Sequence, residues 1–333
     1  MNDDLLASEL FKKHPIFGRK YAIYTPAIEG FFEAVRNWID DRATGGYIYG
    51  LSRMGKSRAI KFWIQELIDE HYHGEIAAFK VINKNRNRSS EREFIGRIIA
   101  DLNLPYSMFR GLGVGEDKIS RFLCMEANKR DSSHVVLIID EAQKMHEIEY
   151  EVLCNIQNSM DDAGFQLTVI IVGSHELAYQ HELLLLGENL HLAARFMINS
   201  AKFLGVCSLQ ELTYILDGYD SQTEWPAGSG ITFTQFFLPK AYESGFRLSL
   251  HGSDMWDLYR EMSPPSLHEH LQLPMHHVGR PIENILLSMA KIDSPTLQLP
   301  TDVIRESIAK TGYRAYMHAL AAVGGRGRVE KAN

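Results

Sequence analysis

The stretch Gly50-Leu-Ser-Arg-Met-Gly-Lys-Ser57 restricts what this chain can fold into more than any other part of it. It fits G-x-x-x-x-G-K-[ST], a loop that wraps a phosphate chain, and it sits where such a loop must sit. A short apolar strand, Tyr47-Ile48-Tyr49, runs into it, and a helix over roughly Lys56–Glu70 runs out of it. Two glycines let the backbone bend tightly, and the free N–H groups at the helix start attract anions. Lys56 is placed to reach the β- and γ-phosphates of a nucleotide, and the Ser57 hydroxyl to bind Mg²⁺. The candidate nucleotide contacts are Gly50, Ser52, Arg53, Met54, Gly55, Lys56, Ser57 and Arg58. A glycine-containing surface turn is the alternative reading.

The rest of the chain is arranged to suit that loop. An N-terminal arm of about 25 residues leads to Thr25-Pro26, an N-cap and first-turn proline that open a helix to about Asp41. Strands then alternate with helices. Strands are expected at 47–49, 75–82, 135–139 and 166–173, with a short fifth at 202–206. Helices are expected at 91–102, 116–129 and 149–162. Val135–Ile139 is continuously apolar, as a parallel strand buried on both faces must be. This is the pattern of a doubly wound α/β sheet.

From about Ser208 only helical patterns remain, at 209–216, 232–243, 255–261, 281–290 and 302–322. The expected organisation is therefore an arm (1–25), an α/β nucleotide-binding domain (26–207), an all-helical lid (208–322) and a flexible basic tail (323–333). The three cysteines, Cys124, Cys154 and Cys207, are scattered without a C-x-x-C, which points to a reducing compartment. No signal-peptide core and no run of 18 apolar residues is present, so a cytoplasmic protein with no membrane association is expected. The net charge of −7 means that any nucleic-acid contact must come from a local basic patch.

The strand 135–139 ends in Asp140-Glu141, acids placed in the crevice where open α/β sheets bind ligands. Asp140 is the candidate Mg²⁺ ligand, and Glu141 the candidate base for an attacking water. The strand 167–172 ends in Gly-Ser-His-Glu, and Ser174, with His175 as the fallback, is the candidate for positioning that water. Capping of the following helix is an equal alternative for this pair. Arg195, in Leu-Ala-Ala-Arg-Phe, is a candidate arginine finger, a guanidinium that spreads positive charge over the transition state in a neighbouring subunit; a surface arginine in a helix is the alternative. Arg280, in Val-Gly-Arg-Pro, is read at the start of a lid helix with Pro281 in its first turn, and as a phosphate contact; an arginine beside a tight turn is the alternative.

Lys80 to Arg92 carries five positive charges and one negative. Within it Lys84, Arg86 and Arg88 are the candidate contacts to a DNA backbone; a solvated basic turn is the alternative. His268, His270, His276 and His277 crowd one stretch but lack metal-ligand spacing. Tyr21, Ile23 and Tyr24 could stack on a base or belong to a core.

Phosphate loop, Asp-Glu strand, polar strand end, arginine and a helical region with Gly-Arg come in the order of an AAA+ P-loop ATPase, which the chain resembles. Kinases with a phosphate loop generally lack that set. Within the class it resembles the TnsC/TniB regulators of cut-and-paste transposons, including CRISPR-associated ones. The residues that carry this are His14-Pro15, Tyr24-Thr25-Pro26, GLSRMGKS at 50–57, LIIDEAQ at 137–143 and IIVGSHEL at 170–177. The resemblance implies ATP and Mg²⁺ at subunit junctions, with Arg195 supplied in trans. It implies homo-oligomeric rings or helical filaments on double-stranded DNA, held against Lys84–Arg88. It implies contact with transposase subunits and with a TniQ-like target selector, alone or with a guide-RNA complex. Helicase loaders and replication initiators share the same core motifs, and a scaffold that binds nucleotide without hydrolysis would share the loop.

Overall fold

The structure, a computed structural model, describes residues 9–83, 90–104, 112–186 and 189–330. The chain divides into two bodies. The first comprises Ala27–Ser52 and Lys56–Phe203. It begins with α1 (Pro26–Asp40), whose Phe31, Val35, Trp38 and Ile39 are buried along one face. The strands are β1 (Gly45–Tyr49), β2 (Ala77–Ile82), β3 (His134–Asp140), β4 (Gln166–Gly173) and β5 (Ser200–Lys202). They form one parallel sheet in the order β2-β3-β4-β1-β5. Every residue of β3 is buried, which explains its unbroken apolar composition.

Register sets up the site. Ile82 pairs with Asp140, Ile139 with Ile171, and Tyr49 with Gly173. The C-terminal ends of β1, β3 and β4 therefore open on the same edge of the sheet. Helix α2 leaves the loop after β1 as one continuous run, Lys56–Ala59, a π-wound turn at Ile60–Ile64, and Gln65–His71. The other helices of this body are α3 (Glu91–Asp101), α4 (Leu112–Asn128), α5 (Glu147–Asp162), α6 (Glu176–Leu186) and α7 (Leu190–Phe196). Ser90 caps α3 by accepting the Glu93 N–H at 3.3 Å. The fifth strand lies earlier than the expected 202–206. Its pairing with Tyr47–Tyr49 ends at Lys202, and Val206 instead bridges Leu273 antiparallel.

The second body contains the described residues of Met1–Pro26, Arg53–Gly55 and Leu204–Asn333. Its main helices are α8 (Leu209–Asp217), α9 (Phe233–Phe237), α10 (Pro239–Glu243), α11 (Gly252–Glu261), α12 (Met275–Met289), α13 (Thr301–Ala309) and α14 (Tyr313–Glu330). The helix expected at 232–243 is two helices, because Pro239 follows a Leu238 that is held out of helical geometry. The helix expected at 302–322 is broken at Gly312, whose φ of +73° belongs to the left-handed region. Helical backbone then continues to Glu330, through residues the sequence assigns to a tail.

The largest correction concerns Pro281, which lies inside α12 and not at its start. A proline there frees the carbonyl four residues back, that of His277. The buried Tyr259 hydroxyl donates to this carbonyl at 2.6 Å, so the lost helix bond is replaced from α11.

The N-terminal arm is part of this second core. Tyr21 and Ile23 are buried in it, the core role among the two readings of these residues. His14 is 1% exposed, with its ring against Trp225, Phe233, Phe236 and Phe237. Burial pushes its pKa down to about 3, so it packs as a neutral ring. The histidine-rich stretch forms no metal-ligating cluster among the described residues. Its His277 is buried instead, with Nδ1 2.8 Å from the Thr311 hydroxyl.

Candidate nucleotide site

The loop after β1 is shaped by backbone constraints. A Cβ on Gly50 would lie 2.3 Å from the Phe203 carbonyl oxygen, so no other residue fits there without displacing β5. Arg53 and Gly55 take positive φ, +68° and +114°, as the chain turns into α2. Met54 is buried, which leaves its backbone as the part a ligand can use. Lys56 Nζ donates to the Gly50 and Leu51 carbonyls, both at 2.8 Å. Burial lowers the pKa of Lys56 to about 8, opposed by the charges of Glu141 and Asp140. The ammonium is thus desolvated, faces two acids and is held across the mouth of its own loop.

Asp140, at the end of β3, is 3% exposed and fully engaged. One oxygen accepts from the Ser57 hydroxyl at 3.3 Å and from the Glu141 N–H at 3.0 Å. The other pairs with Lys80 Nζ at 3.1 Å. Lys80 and Asp140 fall on the same face because Lys80 is registered with Ile138 and Ile82 with Asp140. Sequence reasoning assigned Lys80 only to a basic run. Its signal was a lysine within an apolar strand, and its partner became visible only through strand register.

The hydroxyl and carboxylate of Ser57 and Asp140 are hard oxygen donors of the kind Mg²⁺ takes, so these residues fit the ion that the motif implies. Bound there, Mg²⁺ supplies charge neutralisation for phosphate oxygens.

Glu141 follows directly and has φ +59°, a left-handed conformation that is uncommon for a residue with a side chain. This turn breaks the alternation of the strand, and the charges of Asp140 and Glu141 both act on Lys56. Ser174, at the end of β4, receives the Glu176 N–H on its hydroxyl at 3.3 Å. The capping role foreseen as one reading of Ser174 is therefore present, at the same strand end as the acids.

Residues 39–180 match the family model described as AAA domain. That span contains the phosphate loop, the acid pair and the strand β4. The chain has the AAA+ fold. Among solved structures it is similar to the Aeropyrum pernix ORC2 protein in ADPNP-ADP complexes. The identity is 14% and the TM-score 0.54, over 90% of this chain and 72% of that one. The ADP form of the same protein gives 13% and 0.49, over 83% and 65%. The Aeropyrum pernix ORC1 protein in complex with DNA gives 11% and 0.40, over 94% and 87%. Only the first is similar enough to compare, and at that identity the likeness concerns the fold alone. No curated protein sequence matches the chain significantly.

The AAA+ sheet separates the remaining candidates. Arg195 closes α7, and its carbonyl accepts from the Thr44 hydroxyl at 2.9 Å, beside the first residue of β1. Gly50 lies past the other end of that strand, roughly 15 Å away at strand rise. The Arg195 guanidinium lies 3.5 Å from the Cys154 carbonyl on α5. Arg280, in the second body, is ion-paired with the buried Glu283 at 2.8 Å, and the Tyr21 hydroxyl holds the other Glu283 oxygen at 2.8 Å. Lys84, Arg86 and Arg88 lie outside the described residues. No described helix is long and apolar enough to cross a membrane.

Proposed function

We propose that this chain is an ATP-hydrolysing AAA+ protein that assembles into multimers on duplex DNA and disassembles as ATP is consumed. The observation that supports this most is the separation of Arg195 from its own phosphate loop. Asp140, Glu141 and Lys56 gather at one edge of the sheet, while Arg195 belongs to the other. An arginine so placed serves a nucleotide only when a second copy brings it there.

In the proposed reaction, water attacks the γ-phosphorus and the bond from it to the β,γ-bridging oxygen breaks. Glu141 takes the proton of the water, Lys56 and the loop amides hold the phosphate charge, and Arg195 of the next copy meets the charge of the transition state. ADP and phosphate leave, and the bridge between copies weakens with them.

Within that class we read the protein as a regulator of transposition of the TnsC/TniB kind, from the motifs at 14–15, 24–26, 50–57, 137–143 and 170–177. It would link a TniQ-like target selector to transposase subunits, with Lys84, Arg86 and Arg88 on DNA. A helicase loader or replication initiator is the competing role, and the AAA+ fold accommodates both.

Light scattering with ATP and duplex DNA tests the assembly. Glu141→Gln should bind ATP and form longer-lived multimers; a variant that stays monomeric refutes the proposal. Arg195→Ala and Lys56→Ala should each be inactive yet recover part of the activity when mixed. Stimulation of a transposase in a transposition assay separates the two roles.

A further inference from the structure

Gln143, two residues beyond Glu141, is not among the residues that the motifs assign to the site, yet it is the group that holds Glu141. Its Nε2 donates to Glu141 Oε2 at 2.8 Å, and its Oε1 accepts the Ser174 N–H at 3.1 Å. The orientation of the amide is determined by its partners, since a carboxylate can only accept and a backbone N–H can only donate. One side chain therefore ties the ends of β3 and β4 together. Its backbone is fixed too, because Gln180 Nε2 donates to the Gln143 carbonyl at 2.6 Å. Gly173 leaves the room this needs: a Cβ there would lie 2.6 Å from Gln143 Oε1.

From this geometry we infer that Gln143 is a positioning residue. It holds the Glu141 carboxylate in one orientation through a hydrogen bond to Oε2, and it couples that carboxylate to the strand end carrying Ser174. Two features support this. Glu141 leaves the end of β3 in a left-handed turn, with φ +59°, and is exposed. Gln143 supplies a donor to that exposed carboxylate while itself being half-buried and anchored at both ends. Nucleotide contact at Ser174 would thereby be felt at Glu141 through a single amide.

The inference rests on Glu141 being the base, and the experiment separates the two. ATP hydrolysis by the full chain on duplex DNA is measured for wild type, Glu141→Gln, Gln143→Leu and Gln143→Glu, with nucleotide affinity and thermal unfolding recorded for each. Gln143→Leu should keep nucleotide affinity within about twofold while kcat falls about tenfold. Gln143→Glu has nearly the same shape but cannot donate to Glu141 and puts a second carboxylate against it, so its kcat should fall at least as far. It also serves if the leucine variant does not fold. If Glu141→Gln hydrolyses like wild type, the reading of Glu141 as base is wrong. If Glu141→Gln is inactive but folded Gln143 variants leave kcat unchanged, or lose nucleotide affinity in step with kcat, the positioning role alone is overturned.

Discussion

Nucleotide affinity should depend on pH through Lys56. Its amine has a pKa of about 8 because it is buried beside its own loop, despite two acids nearby. A phosphate chain in contact with the ammonium would hold the proton, so above pH 8 binding must take up a proton and the affinity must fall. With a pKa of about 8, the protonated fraction drops from about three quarters at pH 7.5 to about 3% at pH 9.5. Affinity for ATP should therefore weaken about 25-fold across that interval, or ~1.9 kcal/mol. The terminal phosphate does not contribute there, since its last ionisation lies near pH 6 by analogy with other phosphate monoesters. The assay is isothermal titration with ATP at fixed ionic strength in two buffers of different ionisation enthalpy, which counts the proton directly. Lys56→Met should bind weakly with little pH dependence. A flat affinity for wild type, or an equal slope in Lys56→Met, would refute the assignment of Lys56 to the phosphates.

Three further outcomes follow from packing and burial. Tyr259→Phe leaves the His277 carbonyl, already freed by Pro281, without its donor, and urea unfolding should show a loss of about 1–3 kcal/mol. Gly50→Ala forces a methyl to 2.3 Å from the Phe203 carbonyl, and should cost about 1–3 kcal/mol while abolishing nucleotide binding. His134 and His277 are buried neutral, each with a pKa lowered to about 4 by desolvation. Their unfolded forms take protons below about pH 6.5, so stability is complete above that pH. It falls as the pH drops toward 4, by ~1.4 kcal/mol per unit for each histidine. Denaturant midpoints between pH 7 and 4 should show this slope, reduced in His134→Gln.

Much of the site could be read from residue order. A phosphate loop needs glycines, a lysine and a hydroxyl at fixed spacing, and an acid pair needs an apolar strand before it, so Gly50–Ser57 and Asp140-Glu141 are visible as text. Strand patterns were also legible, because a strand buried on both faces cannot hide its composition. The error at Pro281 has a local origin. Proline in a first turn is the common case, and its acceptance inside α12 depends on the hydroxyl of Tyr259, which lies eighteen residues before the His277 whose carbonyl it serves. The helix breaks at Leu238 and Gly312 were likewise smoothed over by continuous amphipathic spacing.

By itself the sequence determined the classes of element, their order and the residues able to handle phosphate, since these follow from local spacing and side-chain chemistry. Tertiary structure alone decided which of those residues meet. Strand register brings Lys80 to Asp140, a left-handed turn aims Glu141, and the facing ends of β3 and β4 give Gln143 two partners. The sheet also places Arg195 at the edge away from Gly50. These pairings join residues from different strands and turns, and their distances depend on register and backbone angle, which neighbouring residues in the chain do not specify.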